Sequence, residues 1–125
     1  KDLHKERNLT YIFISHDLSV VEYLCDKVAV MYLGRIMEYA GKRELYGKPL
    51  HPYTKALLSA IPVPDIHAKL QTLHVLRGEL NPPAGCLFST RCPMATEKCR
   101  QSRPELTEIT GDDGTKRSVA CFLYQ

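Results

Sequence analysis

Five residues in a row, Thr10-Tyr11-Ile12-Phe13-Ile14, carry bulky or β-branched side chains with no polar alternation between them. A strand with one wet face alternates, so a run of this kind asks for cover on both faces and reads as a parallel strand buried within a sheet. Ser15-His16-Asp17 follows directly, and then Leu18, Val21, Leu24, Cys25 and Val28 recur at helical spacing. The serine and the aspartate stand where the strand gives way to the helix, in the position of an N-cap. A strand, a loop and a helix are therefore expected over residues 10–28.

The flanks extend the pattern. Lys1 to Asn8 is charged throughout and reads as the end of a helix capped by Asn8, so no secretory leader is expected from this stretch. Val28 to Tyr32 and Ile36 to Tyr39 are extended runs on either side of Gly34-Arg35, a hairpin signature. Arg43 to Tyr46 gives about one helical turn, closed by Gly47 and Pro49. His51-Pro52 opens a better helix, since proline suits the first helical position, and Tyr53, Ala56, Leu57, Ala60 and Ile61 supply its apolar stripe. Pro62-Val63-Pro64 ends it, because two prolines remove two backbone donors within three residues. A domain boundary is expected there. Leu70, Leu73, Val75 and Leu76 suggest a short strand, and Pro82-Pro83-Ala84-Gly85 introduces a cysteine-rich tail.

No apolar run approaches the ~18 residues of a membrane span, and with 44% hydrophobic and 25% charged residues the chain reads as soluble. The net charge of +3 is spread evenly along 125 residues, so no half is expected to bind nucleic acid. The cysteines are not spread evenly. Cys25 lies alone on the apolar stripe and is expected to be a buried, inert thiol, whereas Cys86, Cys92, Cys99 and Cys121 gather in the last third. Four thiolates can hold a [4Fe-4S] cluster or a structural zinc ion, and the spacing alone does not choose. Reduced vacant thiols and disulfides stay open beside them. Arg91, Arg100 and Arg103 lie near enough in sequence to offset cluster charge, or are simply solvated. His4, His51, His67 and His74 show no ligand-like pairing with one another.

The run over residues 10–40, TYIFISHDLSVVEYLCDKVAVMYLGRIMEYA, resembles the histidine-loop region of ABC transporter ATPases. The next stretch, ELYGKPLHPYTKALLSAIPVPD, and the later Asn81-Pro82-Pro83-Ala84-Gly85-Cys86 are similar to the corresponding parts of oligopeptide and dipeptide importer ATPases. The resemblance implies that His16 contacts the γ-phosphate of ATP bound with Mg²⁺ between two subunits, a role that suits an imidazole donor. It also implies that Cys86, Cys92, Cys99 and Cys121 ligate an iron–sulfur cluster in a C-terminal regulatory domain, with zinc or no metal as the alternatives. In this family the segment joining Gly78-Glu79 to the asparagine–proline pair is longer than Leu80 alone allows.

A complete ATPase of the class needs a phosphate loop with its lysine, an acidic residue closing a hydrophobic strand, and a signature loop. None of the three occurs in these residues. The expected fold is α+β: a C-terminal remnant of an ABC-type nucleotide-binding domain over 1–64, and a small loop-rich cysteine-containing domain over 65–125. The chain by itself is expected to be inactive. The parent would power peptide import at the cytoplasmic face of the membrane, with a second ATPase subunit and permease subunits as partners. Alternatives are the ATPase of a nickel or glutathione importer, or a stand-alone metal-binding module. The uncovered strand at Thr10 to Ile14 further predicts a homodimer or larger oligomer built around residues 10–39.

Overall fold

The computed structural model describes residues 10–61, 82–111 and 114–125. The short strand expected around Leu70 to Leu76, the helix end at Asn8 and the linker at Gly78 to Asn81 lie outside the described residues.

Helix α1 (Leu18–Leu24) starts where the sequence places it. The Asp17 carboxylate accepts the Ser19 and Val20 N–H groups at 3.0 and 3.2 Å, satisfying two of the donors that a helix start leaves open. The helix is shorter than the apolar spacing suggests. It stops at Leu24, Cys25 turns extended, and Val28 enters strand β1 (Lys27–Tyr32) instead. β-Branched Val28 and Val30 alternate inward along that strand, a pattern that only pleated backbone satisfies.

Strand β2 (Arg35–Gly41) returns antiparallel through Leu33 and Gly34. Both turn residues have positive φ, 45° and 77°, as a two-residue hairpin turn that follows the strand twist requires. The register slips at Val30 and Met31, which face Glu38 and Ile36. Met37 is thus the extra residue of a β-bulge, so Met37 and Glu38 are adjacent and both buried. Helix α2 (Lys42–Gly47) follows, and its Tyr46 hydroxyl donates to the Leu18 carbonyl at 2.6 Å. Helix α3 (Pro52–Ser59) has proline at its first position.

The tail carries more regular structure than its composition suggests: helix α4 (Glu97–Gln101), strands β3 (Thr107–Thr110) and β4 (Lys116–Val119), and a 3₁₀ turn over Phe122–Tyr124. One antiparallel sheet of order β1-β2-β4-β3 joins these strands to the hairpin, through Glu38 opposite Val119 and Tyr39 opposite Ser118. The α+β class stands.

Among the described residues the core comes in three small pieces: Val21, Val28, Val30, Ala40 and Leu45; then Met37, Cys86 and Phe88; then Leu50, Val119 and Cys121. A buried charge pair lies beside them. Glu38 has no solvent exposure, accepts the Leu50 and His51 N–H groups at 3.0 and 2.9 Å, and has the Arg117 guanidinium 3.8 Å away.

The run at Thr10 to Ile14 departs from its expected form. It forms no strand, and Ile12 and Ile14 are 93% and 92% exposed. A strand exists by pairing, and no strand of the described sheet lies beside this segment. The Ile12 and Ile14 side chains are consequently left in water.

Candidate functional site

Three of the four tail cysteines belong to one tightly wound loop. The Cys86 N–H donates to the Cys99 carbonyl at 2.7 Å, which brings the ends of the loop together. Gly85 permits that approach, because a Cβ at this position would collide with the Cys99 and Arg100 backbone. Arg103 spans the same neck, donating from its guanidinium to the carbonyls of Gly85, Pro83 and Ala84 at 3.2–3.4 Å. Inside the loop, Ser89 N–H to Cys86 C=O, Ala95 N–H to Cys92 C=O and Cys99 N–H to Thr96 C=O form successive turns at 3.0–3.2 Å. Cys121 arrives separately, just past β4.

All four thiols line one cavity of ≈ 20 Å³, shared with His51 and Phe88. Burial pushes the Cys86, Cys92 and Cys121 thiols up, and charge on neighbouring cysteines of the group pushes them further. Backbone groups act in the other direction by hydrogen bonding to the sulfur: Phe88 and Ser89 at Cys86, Met94 at Cys92, and Leu123 at Cys121. The site is therefore apolar enough to disfavour bare thiolates, yet it holds donors that stabilise sulfur once a cation takes the protons' place. Among the described residues no three His, Cys, Asp or Glu side chains close around a point as a single metal ion requires.

Of the three arginines near the cysteines, Arg103 binds carbonyls and also lowers the Cys86 thiol, while Arg100 pairs with Glu97 on the exposed face of α4. Cys25 stands apart, half-buried against the cluster of Val21 and Val28.

His16 lies at the bend between the exposed 10–15 segment and α1, and its side chain is exposed. The Asp17 N–H donates to Ser15 Oγ at 3.0 Å while the Asp17 carboxylate caps the helix, so the backbone on the C-terminal side of the histidine is fixed. His16 is not among the residues that line the cysteine cavity.

Sequence reasoning left His51 unassigned, and the structure gives it the most constrained position of any histidine described. It is 1% exposed. Its Nδ1 accepts the Tyr53 N–H at 3.0 Å, capping α3. Burial pushes the imidazole down to about 4, so it is neutral with its proton on Nε2. A polar residue immediately before a proline at the first helical position was the available signal. Tyr32, Tyr53 and Phe88 pack next to it with ring centroids 4.7–5.6 Å apart. These rings connect the hairpin and α3 to the cysteine loop.

Residues 37–99 match the family described as oligopeptide/dipeptide transporter, C-terminal region, and the chain belongs to that family. It is 52% identical to a putative oligopeptide transport ATP-binding protein of Bacillus subtilis, over 100% of this chain and 38% of that protein. It is 46% identical to the oligopeptide transport ATP-binding protein OppF of Escherichia coli, over 98% and 36%. A putative peptide import ATP-binding protein of Brucella ovis is 55% identical over 87% of the chain and 35% of its own length. The chain thus spans little more than a third of the length of the curated relatives it matches.

Proposed function

We propose that this chain is the C-terminal part of an ATP-binding subunit that powers peptide import by an ABC transporter. The observation that carries the reading is similarity over nearly the whole chain to oligopeptide transport ATP-binding proteins, with the histidine loop included. In this reading residues 1–64 complete a nucleotide-binding domain and residues 65–125 are its cysteine-bearing accessory domain. The subunit works beside a second ATPase subunit and against permease subunits at the cytoplasmic face of the membrane. In keeping with a peripheral place, no helix among the described residues is long and apolar enough to cross a bilayer.

His16 acts on the γ-phosphate of ATP held with Mg²⁺ by the rest of the subunit. Exposure of the imidazole beside a capped helix start leaves it free to face a nucleotide. In the full-length subunit, His16→Ala is expected to lower kcat by about 10²–10³-fold with nucleotide Kd changed only a few-fold. Steady-state ATPase assays and nucleotide titration check this, and an unchanged kcat rejects the role. The chain by itself lacks the phosphate loop and is expected to show no ATPase activity.

Cys86, Cys92, Cys99 and Cys121 hold the metal centre. The donor set is four thiols with no carboxylate among them, in an apolar cavity with backbone donors at sulfur, which fits a soft metal. A [4Fe-4S] cluster suits it better than zinc, because the thiolates of a cluster bind different irons and need not close on one point. When bound, such a group cross-links the loop to β4.

For the chain alone, the exposed apolar run at Thr10 to Ile14 supports self-association through residues 10–39. Light scattering is expected to give a dimer or larger species, and a monomer at high concentration overturns it.

A further inference from the structure

Among the described residues, the place of His16 follows from α1. Residues 10–15 before it are exposed, whereas α1 begins two residues after it. Isolated helices shorter than ~12–15 residues are marginal in water, and α1 has seven, with Val21 its one buried side chain. Its support comes from α2, which reaches it at both ends. At the far end the N–H of Lys42, the first residue of α2, donates at 2.9 Å to the carbonyl of Asp26, just past α1. At the near end the Tyr46 hydroxyl donates at 2.6 Å to the carbonyl of Leu18, the first residue of α1, in a partly buried bond. α2 is itself firmly seated. Leu45 is fully buried in the cluster of Val21, Val28, Val30 and Ala40, and Tyr46 packs against the same cluster.

We propose that Tyr46 is a positioning residue for His16, its hydroxyl holding the start of α1 so that the imidazole is already set when nucleotide arrives. The connection from one to the other has no loose link. Asp17, between His16 and Leu18, is pinned by its N–H to Ser15 Oγ at 3.0 Å and by its carboxylate to the Ser19 and Val20 N–H groups. Tyr46 lies within residues 37–99, the part matched to the transporter C-terminal region, and His16 lies before it. A residue of the accessory region thereby aims a side chain of the nucleotide-binding one. The inference rests on the reading of His16 as the group that acts on the γ-phosphate, and adds what holds it there.

Tyr46→Phe in the full-length subunit removes the hydroxyl and leaves the ring. It is expected to lower kcat about tenfold with nucleotide Kd within about twofold, because an imidazole displaced by a fraction of an ångström meets the phosphate less often. Added to His16→Ala, it is expected to cause less than about twofold further loss, since a misplaced imidazole and a missing one fail at the same step. Amide exchange over residues 17–25 is expected to quicken about fivefold while residues 27–41 stay within about twofold. Tyr124→Phe is the control. It removes a hydroxyl that donates to the Leu50 carbonyl at 3.2 Å, and it is expected to leave kcat within about twofold.

Unchanged kcat or unchanged exchange over residues 17–25 in Tyr46→Phe overturns the proposal. So does a loss that adds in full to that of His16→Ala, a rise in Kd as large as the fall in kcat, or an equal loss in Tyr124→Phe. A kcat that His16→Ala leaves unchanged defeats the reading of His16 instead, and the exchange over α1 then decides whether Tyr46 holds the segment.

Discussion

Glu38→Ala is expected to lower the stability of the chain by about 3–5 kcal/mol, read as a fall in the urea unfolding midpoint with little change in slope. Two costs combine. The Leu50 and His51 N–H groups lose the carboxylate that receives both of them, and they lie where water does not reach to replace it. Arg117 meanwhile keeps its charge in a site where it is 7% exposed and where its Nε and Nη2 have no hydrogen-bond partner, so Glu38 is its compensation. The sign of a second change tests the account. Adding Arg117→Met to Glu38→Ala removes the orphaned charge and is expected to recover part of the loss, since a buried pair exchanged for apolar groups of similar volume is often neutral. A loss below about 1 kcal/mol for Glu38→Ala, the size of an ordinary surface change, contradicts the picture of a dry, coupled pair.

Serine at any one of Cys86, Cys92, Cys99 or Cys121 is expected to abolish metal uptake after anaerobic reconstitution with iron and sulfide, followed by metal analysis and visible absorption. Serine at Cys25 should leave both unchanged, because that thiol packs against Val21 and Val28, away from the cavity. The effect on stability is also large. A structural metal contributes on the order of 10 kcal/mol of folding free energy in small domains, and the tail has few other resources. Among the described residues of the tail, the buried apolar side chains are Cys86, Leu87, Phe88, Pro104, Val119, Ala120 and Cys121. Hydrogen exchange over residues 82–125 is accordingly expected to slow on metal loading and to return to the metal-free rate in each serine variant. Uptake that survives serine at one of the four shows that this cysteine is not a ligand.

The sequence was most legible where one residue type has one physical use. Asp17 suits a cap, Pro52 suits a helix start and Gly34 marks a tight turn, so α1, α3 and the hairpin were foreseeable, although the turn residues are Leu33 and Gly34, with Arg35 already in β2, rather than Gly34-Arg35. The strand signal at Thr10 to Ile14 failed for a different reason. Periodicity reports what a segment needs, cover on both faces, and is silent on whether the neighbours that provide it are at hand. The tail strands were hidden because TEIT and KRSV are short and polar and are held mainly by the strands beside them. The cysteine spacing drew attention to four residues that line one cavity. It could not reveal Glu38, His51, Arg117 or Gly85, whose roles arise from contacts between distant segments, such as Gly85 against Cys99 or Glu38 against Arg117.

The sheet order β1-β2-β4-β3 bears on when this protein can finish folding as it is synthesised. The hairpin of β1 and β2 is local and closes within microseconds once made, but one whole edge of β2 must wait for β4. In that interval the Glu38 carboxylate has neither its guanidinium nor its cover, the Leu50 carbonyl awaits the Tyr124 hydroxyl 74 positions later, and Met37 has no Phe88 to meet. At ~5–20 residues per second, that wait lasts several seconds on the ribosome. The nascent chain carries an open, partly apolar strand edge throughout it. β4 therefore acts as a timer: the described sheet is committed to its shape only when β4 arrives, and just after β4 comes Cys121, the fourth cysteine of the cavity.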